Sequence, residues 1–154
     1  SKNRIPYGVD LIQKYRRESW IVFTENKKQA KEFNKIINTK GFKSALYNTD
    51  LDSGERLENL NKFKKADLNV LVTCTALDEG FDMPEADGAL ILSASSSKRQ
   101  RVQRMGRVLR ITENKPNALI VTVYSSKTEF DKLMEEAKRY HKEGVPVSWK
   151  RQDR

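Results

Sequence analysis

Five short apolar runs, separated by longer amphipathic segments, constrain the fold of this chain more than any other feature. Most of the runs are continuously apolar rather than alternating, which is typical of strands buried on both faces. They therefore predict the strands of a sheet that is covered by helices on both sides. The runs occupy residues 20–24, 44–47, 70–74, 89–93 and 118–123.

The segments between the runs have the periodicity of helices. Residues 27–40 place apolar side chains on one stripe and are followed by Gly41, which suits the end of a helix. Residues 52–65 begin with the cap-forming pair Asp52 and Ser53. The stripes consist of Ala30, Phe33, Ile36 and Ile37 in the first helix and of Leu57, Leu60 and Phe63 in the second. Further helices are expected at about 9–17, 97–107 and 128–142.

Strands that alternate with helices favour parallel βαβ units with right-handed crossovers. The sequence therefore predicts an α/β fold of three layers, with a mainly parallel sheet of five or more strands. Ligands bind to such sheets beyond the carboxyl ends of the strands. Functional residues are thus expected just after Thr24, Cys74 and Ser93.

The length of 154 residues suits one main domain. We expect this domain at 19–144, after a lead-in with one helix at 1–18 and before an extended segment with a basic tail at 145–154. Because the chain begins with Ser1 rather than methionine, we expect it to be a piece excised from a longer protein.

The composition indicates the partners and the setting of the domain. The net charge is +9, from 30 Lys and Arg against 21 Asp and Glu. Such an excess attracts polyanions, although Lys-rich surfaces also occur in proteins that bind no nucleic acid. One cysteine and one histidine argue against a disulfide and against a metal site. Because the chain has neither a bilayer-spanning apolar run nor a signal peptide, we expect an intracellular protein, in the cytoplasm, nucleoid or nucleus, without a membrane partner.

Residues 103–110, Gln-Arg-Met-Gly-Arg-Val-Leu-Arg, are the most informative stretch of the chain. On a helix, Gln103, Arg107 and Arg110 share one face, and Gly106 would let another face, shared with Val102 and Leu109, approach the sheet closely. Two guanidinium groups one turn apart form a fork that suits a phosphate chain. The alternative is an ordinary solvated basic helix, which does not require a glycine among such regularly spaced polar residues.

This stretch resembles motif VI of superfamily 2 helicases, Gln-Arg-x-Gly-Arg-x-x-Arg, at every fixed position. The resemblance implies that Arg107 and Arg110 reach across a cleft to the γ-phosphate of ATP and that one of them is an arginine finger, a group worth about 10³–10⁵ in rate. It also implies that Gln103 couples to the acidic motif of a partner domain. Arg104 would add to the contacts between the domains and at the nucleotide.

Residues 70–87 resemble motif V of the same family, a buried strand followed by Asp-Glu-Gly-Phe-Asp-Met-Pro. The resemblance assigns Asp82 to the ribose hydroxyls of ATP and the backbone of Gly80 to the region of the γ-phosphate. Glu79 belongs to the same motif, and we assign it to the nucleic-acid site. A Walker B role in magnesium binding for Asp78 and Glu79 is a weak alternative, because the sequence has no Gly-x-x-x-x-Gly-Lys-Ser/Thr phosphate loop.

One position departs from the motif V pattern. The threonine that contacts the nucleic-acid phosphate in the family aligns with Cys74, which is flanked by Thr73 and Thr75. We assign both Thr73 and Thr75 to the nucleic-acid site and favour Thr75 for this contact, with the amide of Cys74 as the alternative.

Residues 21–26 resemble motif IV, an apolar strand that ends in a hydroxyl residue and a polar turn. Thr24, Asn26 and Lys27, beside the free amides of a helix N-terminus, could hold a nucleic-acid phosphate. Arg56 matches a position that is usually arginine in the family, with a plain surface charge as the alternative.

Motifs IV, V and VI occur in order over about residues 19–123. The resemblance implies a RecA-like fold and the second motor domain of an ATP-dependent helicase or translocase, monomeric when isolated. Mg²⁺ and the phosphates of ATP would be held by an N-terminal RecA-like domain of the same protein. DNA is favoured over RNA, because DEAD-box RNA helicases usually have histidine at the position of Gln103. A catalytically inactive nucleic-acid-binding module derived from such a domain is the alternative, although a pure binder would not need the ATP-facing residues.

Overall fold

The computed structural model describes residues 4–15, 17–48, 50–74, 86–92 and 119–123. All of them belong to the first of two compact units of the chain, Ser1–Val123. The elements in chain order are α1 (Arg4–Lys14), β1 (Trp20–Phe23), α2 (Lys27–Thr39), β2 (Ser44–Leu46), α3 (Ser53–Lys64), β3 (Val70–Thr73), β4 (Gly88–Ile91) and β5 (Leu119–Thr122).

The five strands form one sheet in the order β2-β3-β1-β4-β5, and every neighbouring pair is parallel. All five predicted strands are present, with ends that differ by at most two residues from the prediction. The prediction of an α/β fold with a mainly parallel sheet is therefore confirmed. The helices expected at 97–107 and 128–142 and the tail at 145–154 lie outside the described residues.

The sheet is covered on both faces, as its apolar strands require. Successive residues of a strand point to opposite faces, so β1 sends Trp20 and Val22 to one side and Ile21 and Phe23 to the other. Helices α1 and α2 pack on the first face, and α3 packs on the second with Leu60 and Phe63. No described helix is long and apolar enough to cross a bilayer.

Helix α1 begins five residues earlier than the predicted helix at about 9–17. Ile5, Val9 and Ile12 follow one another at helical spacing and are all buried, so the apolar stripe starts before the predicted boundary. Pro6 does not prevent this start, because a proline in the first helical turn sacrifices no intrahelical hydrogen bond. The helix is therefore part of the core.

Two expectations for α3 were wrong. Asp52 is the N-cap residue, but its side chain makes no capping hydrogen bond. Leu57 is 58% exposed, whereas Leu60 and Phe63 are buried. At 100° per residue, Leu57 lies about 60° from Leu60 and about 120° from Phe63 around the helix, which places it beyond the edge of the buried stripe.

Gly88 permits a close contact between two neighbouring strands, β1 and β4. It is paired with Trp20 in the register of β1 and β4. A Cβ atom on Gly88 would lie 2.6–2.8 Å from atoms of the Trp20 ring, which is 1% exposed and has no room to move away. A tryptophan of this size therefore requires glycine at the facing position.

We expect Gly88→Ala to lower the free energy of unfolding by about 1–3 kcal/mol, because it overpacks the core. The matched control is Gly54→Ala in α3, where the added Cβ meets only the Asp52 carboxylate, at 3.2 Å. This change should leave the stability unchanged or raise it by up to about 1 kcal/mol. Urea denaturation of both variants measures the difference, and equal stabilities would contradict the proposed contact.

Candidate functional site

The carboxyl edge of the sheet has the topology of a ligand site. Strand β1 leads through α2 to β2 on one side of the sheet, whereas β4 leads to β5 on the other side. The connections diverge between β1 and β4, and α/β sheets bind ligands where this happens. Strand β3, the other neighbour of β1, ends at the same edge.

Thr24 and Thr73 support this edge from within. The amide of Thr24 donates to the carbonyl of Thr73 at 2.9 Å. The Thr24 hydroxyl lies 3.2 Å from the carbonyl of Asn26 and 3.4 Å from that of Thr73. Thr24 is 0% exposed and Thr73 is 1% exposed. Their burial does not support the direct phosphate contacts that the sequence suggested, and both residues instead shape the turn after the strands.

The N-terminus of α2 is held by two reciprocal hydrogen bonds. The Asn26 side chain accepts from the amide of Gln29 at 2.9 Å, and the Gln29 side chain accepts from the amide of Glu25 at 2.7 Å. The spacing Asn-x-x-Gln is related to the capping box, and it is the sequence signal by which Gln29 could have been found. The first turn of α2 is thereby fixed at the carboxyl edge.

This helix N-terminus is suited to an anion. The first amides of a helix have no intrahelical acceptor, and the helix dipole makes this end positive. The side chain of Asn26 accepts a hydrogen bond from the amide of Gln29, and the next two residues, Lys27 and Lys28, are exposed. Lys31 lies 3.8 Å from the Asp50 carboxylate, and this pair links α2 to the loop between β2 and α3. Of the residues predicted from motif IV, Asn26 and Lys27 lie at this helix N-terminus, and both are exposed.

Arg56 is positioned at the same edge from the opposite face of the sheet. Asn59, three residues later and on the same side of α3, donates to the carbonyl of Leu46 at 2.9 Å, so this side faces the end of β2. The Nε of Arg56 is buried and has no hydrogen-bond partner among the described residues. A buried charged donor is costly without an acceptor, and this state favours a ligand contact over a plain surface charge.

Asn48 joins the end of β2 to the end of β3. Its Oδ1 accepts from the amide of Cys74 at 2.9 Å, and the residue is 1% exposed. The amide of Cys74 therefore has an acceptor within the fold, which argues against it as the phosphate contact. Asn48 could not be found from the sequence, because an asparagine after an apolar run is common and predicts no particular bond.

The other predicted site residues lie outside the described residues. Within the described part of the chain, no group of histidine, cysteine, aspartate and glutamate side chains is arranged to hold a metal ion. The undescribed site residues are Thr75, Glu79, Gly80, Asp82, Gln103, Arg104, Arg107 and Arg110.

Comparison with known proteins gives a consistent picture. The family described as "Helicase conserved C-terminal domain" matches residues 3–112. The DNA 3'-5' translocase XPB2 of Sulfurisphaera tokodaii is 34% identical over 128 residues, which are 83% of this chain and 28% of that protein. The ATP-dependent rRNA helicase RRP3 of Scheffersomyces stipitis is 25% identical over 118 residues, which are 77% of this chain and 24% of that protein. The chain thus spans about a quarter of the length of these relatives.

A solved structure shares the fold. The C-terminal domain of the DEAD-box protein Dbp5 superposes with a TM-score of 0.76 at 19% identity, over 92% of this chain and 81% of that one. The predicted RecA-like architecture is confirmed by this likeness together with the parallel sheet.

We expect Asn26→Ala to lower the free energy of unfolding by about 1 kcal/mol, because it removes the cap of α2. Asn26→Asp is the matched control, because it keeps an acceptor oxygen and places a negative charge at the positive end of the helix dipole. Its stability should stay within about 0.5 kcal/mol of the wild type. Chemical denaturation distinguishes the two variants, and an equal loss in both would show that the cap does not hold the helix.

Proposed function

The chain belongs to the helicase conserved C-terminal domain family of superfamily 2, and on this basis we propose that it is the second motor domain of an ATP-dependent helicase or translocase. In this proposal, a first RecA-like domain of the same protein holds the phosphates of ATP and Mg²⁺. The present chain completes that site with arginines and forms part of the track for nucleic acid inside the cell.

One observation carries the proposal. The remaining motif residues belong to two undescribed segments, 75–85 and 93–118, which follow β3 and β4 in the sequence. These strands are the two neighbours of β1. Both segments therefore start at the edge where parallel α/β sheets bind ligands, one on each side of the turn that begins with Thr24.

The nucleotide-facing role belongs to the arginines of 103–110. We assign Arg107 and Arg110 to the γ-phosphate, where their charge offsets the charge that develops on the transferred group. Gln103 would couple this helix to the partner domain, and Arg104 would support the contact. Asp82, together with the backbone of Gly80, would hold the ribose and the region of the γ-phosphate.

The nucleic-acid-facing role belongs to the rim of the same edge. Asn26 and Lys27 at the start of α2, and Arg56 at the start of α3, supply an N-terminal dipole and two cationic groups. Thr75 and Glu79 complete the set in our assignment. Closure of the cleft between the two motor domains would move this rim along a single strand in steps.

We propose DNA as the nucleic acid. The relatives include one protein named as a DNA translocase and one named as an rRNA helicase, with 34% and 25% identity respectively. Gln103 stands where DEAD-box RNA helicases usually carry histidine. Competition between DNA and RNA strands of the same sequence tests this part of the proposal separately.

The 154-residue chain alone should hydrolyse ATP negligibly, because its sequence contains no phosphate loop. In the two-domain protein, Arg107→Ala should lower nucleic-acid-stimulated turnover by about 10³-fold or more. Lys35→Ala, which removes an exposed charge from α2, is the control and should change turnover less than about twofold. Steady turnover by the isolated chain that Arg107→Ala abolishes would rule out a site shared between two domains.

Arg56→Ala should weaken the binding of a single-stranded oligonucleotide about tenfold at low salt. It should also reduce the slope of the logarithm of the binding constant against the logarithm of the salt concentration by about 0.7, as expected for one lost phosphate contact. Its stability should change little, since the Nε of Arg56 has no partner in the described part of the free domain. Lys43→Ala, an exposed charge before β2 at the opposite edge, is the control. Fluorescence anisotropy measures the oligonucleotide affinity of both variants. Equal losses of affinity would show that the effect of Arg56→Ala comes only from the lower net charge.

A further inference from the structure

Two asparagine side chains fasten β2 to β3, one at each end of the pair. At the carboxyl edge, Asn48 Oδ1 accepts from the amide of Cys74 at 2.9 Å. At the amino edge, Asn69 Oδ1 accepts from the amide of Lys43 at 2.7 Å. Each bond joins residues 26 positions apart. The two clamps are therefore chemically alike and differ mainly in their place in the fold.

The clamp at the carboxyl edge is the more deeply buried. Asn48 is 1% exposed, and its Nδ2 has no hydrogen-bond partner among the described residues. Asn69 is half-buried, and its bond to Lys43 is exposed. A buried amide donor without an acceptor opposes folding. Stability alone therefore gives a weak reason for asparagine at position 48.

The bond to Cys74 takes the place of a backbone hydrogen bond between the strands. Among the described residues, the amide of Tyr47 donates to the carbonyl of Val72 at 2.7 Å. The next amide of β3 that faces β2 is that of Cys74, and a continued parallel ladder would give it a backbone carbonyl. The Asn48 side chain supplies the acceptor instead. It thus holds the backbone at the carboxyl end of β3.

We propose that Asn48 is a positioning residue for the backbone at the carboxyl end of β3. It holds the amide of Cys74, the residue that precedes Thr75 in the sequence, and Thr75 is the residue that we assign to a nucleic-acid phosphate. The inference rests on the proposed function and adds to it a residue that touches neither nucleotide nor nucleic acid.

The test compares Asn48→Ala with Asn69→Ala in the 154-residue chain. Amide hydrogen exchange at Cys74, followed by NMR, reports whether the clamp orders the backbone. Fluorescence anisotropy with a labelled single-stranded DNA reports its consequence for binding. Asn48→Ala should speed exchange at Cys74 by at least about tenfold and weaken binding by about five- to tenfold, the size of one lost hydrogen bond. Asn69→Ala should change the exchange rate at Cys74 and the DNA affinity by less than about twofold, even if it lowers the stability as much as Asn48→Ala does.

Two further variants secure the interpretation. Asn48→Asp keeps an acceptor oxygen opposite Cys74, so it should restore slow exchange there. Asn48→Ser replaces the alanine variant if that variant does not fold, because the serine side chain is too short to reach the amide of Cys74. It should show the same fast exchange and weak binding.

Unchanged exchange at Cys74 in Asn48→Ala would overturn the inference, and so would faster exchange with unchanged binding. If the wild-type chain binds no nucleic acid, the proposed function fails. Exchange at Cys74 in the alanine, aspartate and Asn69 variants then decides by itself whether Asn48 orders the backbone at the carboxyl end of β3.

Discussion

The parallel pairing of β1 with β3 and β4 is the constraint on which the rest of the structure depends. Every residue of these three strands is buried, so apolar packing on both faces and the backbone ladders hold them in one register. Trp20 is level with Val70 on one side and with Gly88 on the other. Because the strands have equal length and run in the same direction, their carboxyl ends lie side by side. The segments that follow these strands therefore begin at one edge.

Residues at that edge divide into two groups by their burial. Thr24 and Asn48 are buried and use their oxygens to fix the backbone where the strands end. Lys27 is exposed, and Arg56 is half-buried with a donor that lacks a partner in the described chain. The buried group gives the edge a defined shape, and the charged group is the part that we propose to bind polyanions. In the proposed motor, this rigid support beneath a charged rim would serve to grip and release a nucleic-acid backbone.

Most of the strands were predictable because continuous apolar runs are typical of strands buried on both faces, and parallel pairing followed from the helices between them. The ends of the helices and the faces that they bury were harder to predict. The apolar stripe of α1 begins before the predicted start of the helix, and the spacing of Leu57 resembled that of the buried stripe although the residue lies beyond its edge. The sequence predicted functional residues after the strand ends, but the burial of Thr24 depends on its packed neighbours. A bond such as that of Asn48 to Cys74 joins distant residues and leaves no local pattern.

The central claim is that this chain supplies, in trans to another domain, the arginines of a shared ATP site. The most direct test is titration of the chain into a separately produced first motor domain of the same protein, with single-stranded DNA present, while ATP turnover is measured. The account predicts a saturable rise of at least about tenfold that Arg107→Lys abolishes, because lysine lacks the planar fork of arginine. A turnover that does not respond to the chain, or that responds equally to the Arg107→Lys variant, would contradict it.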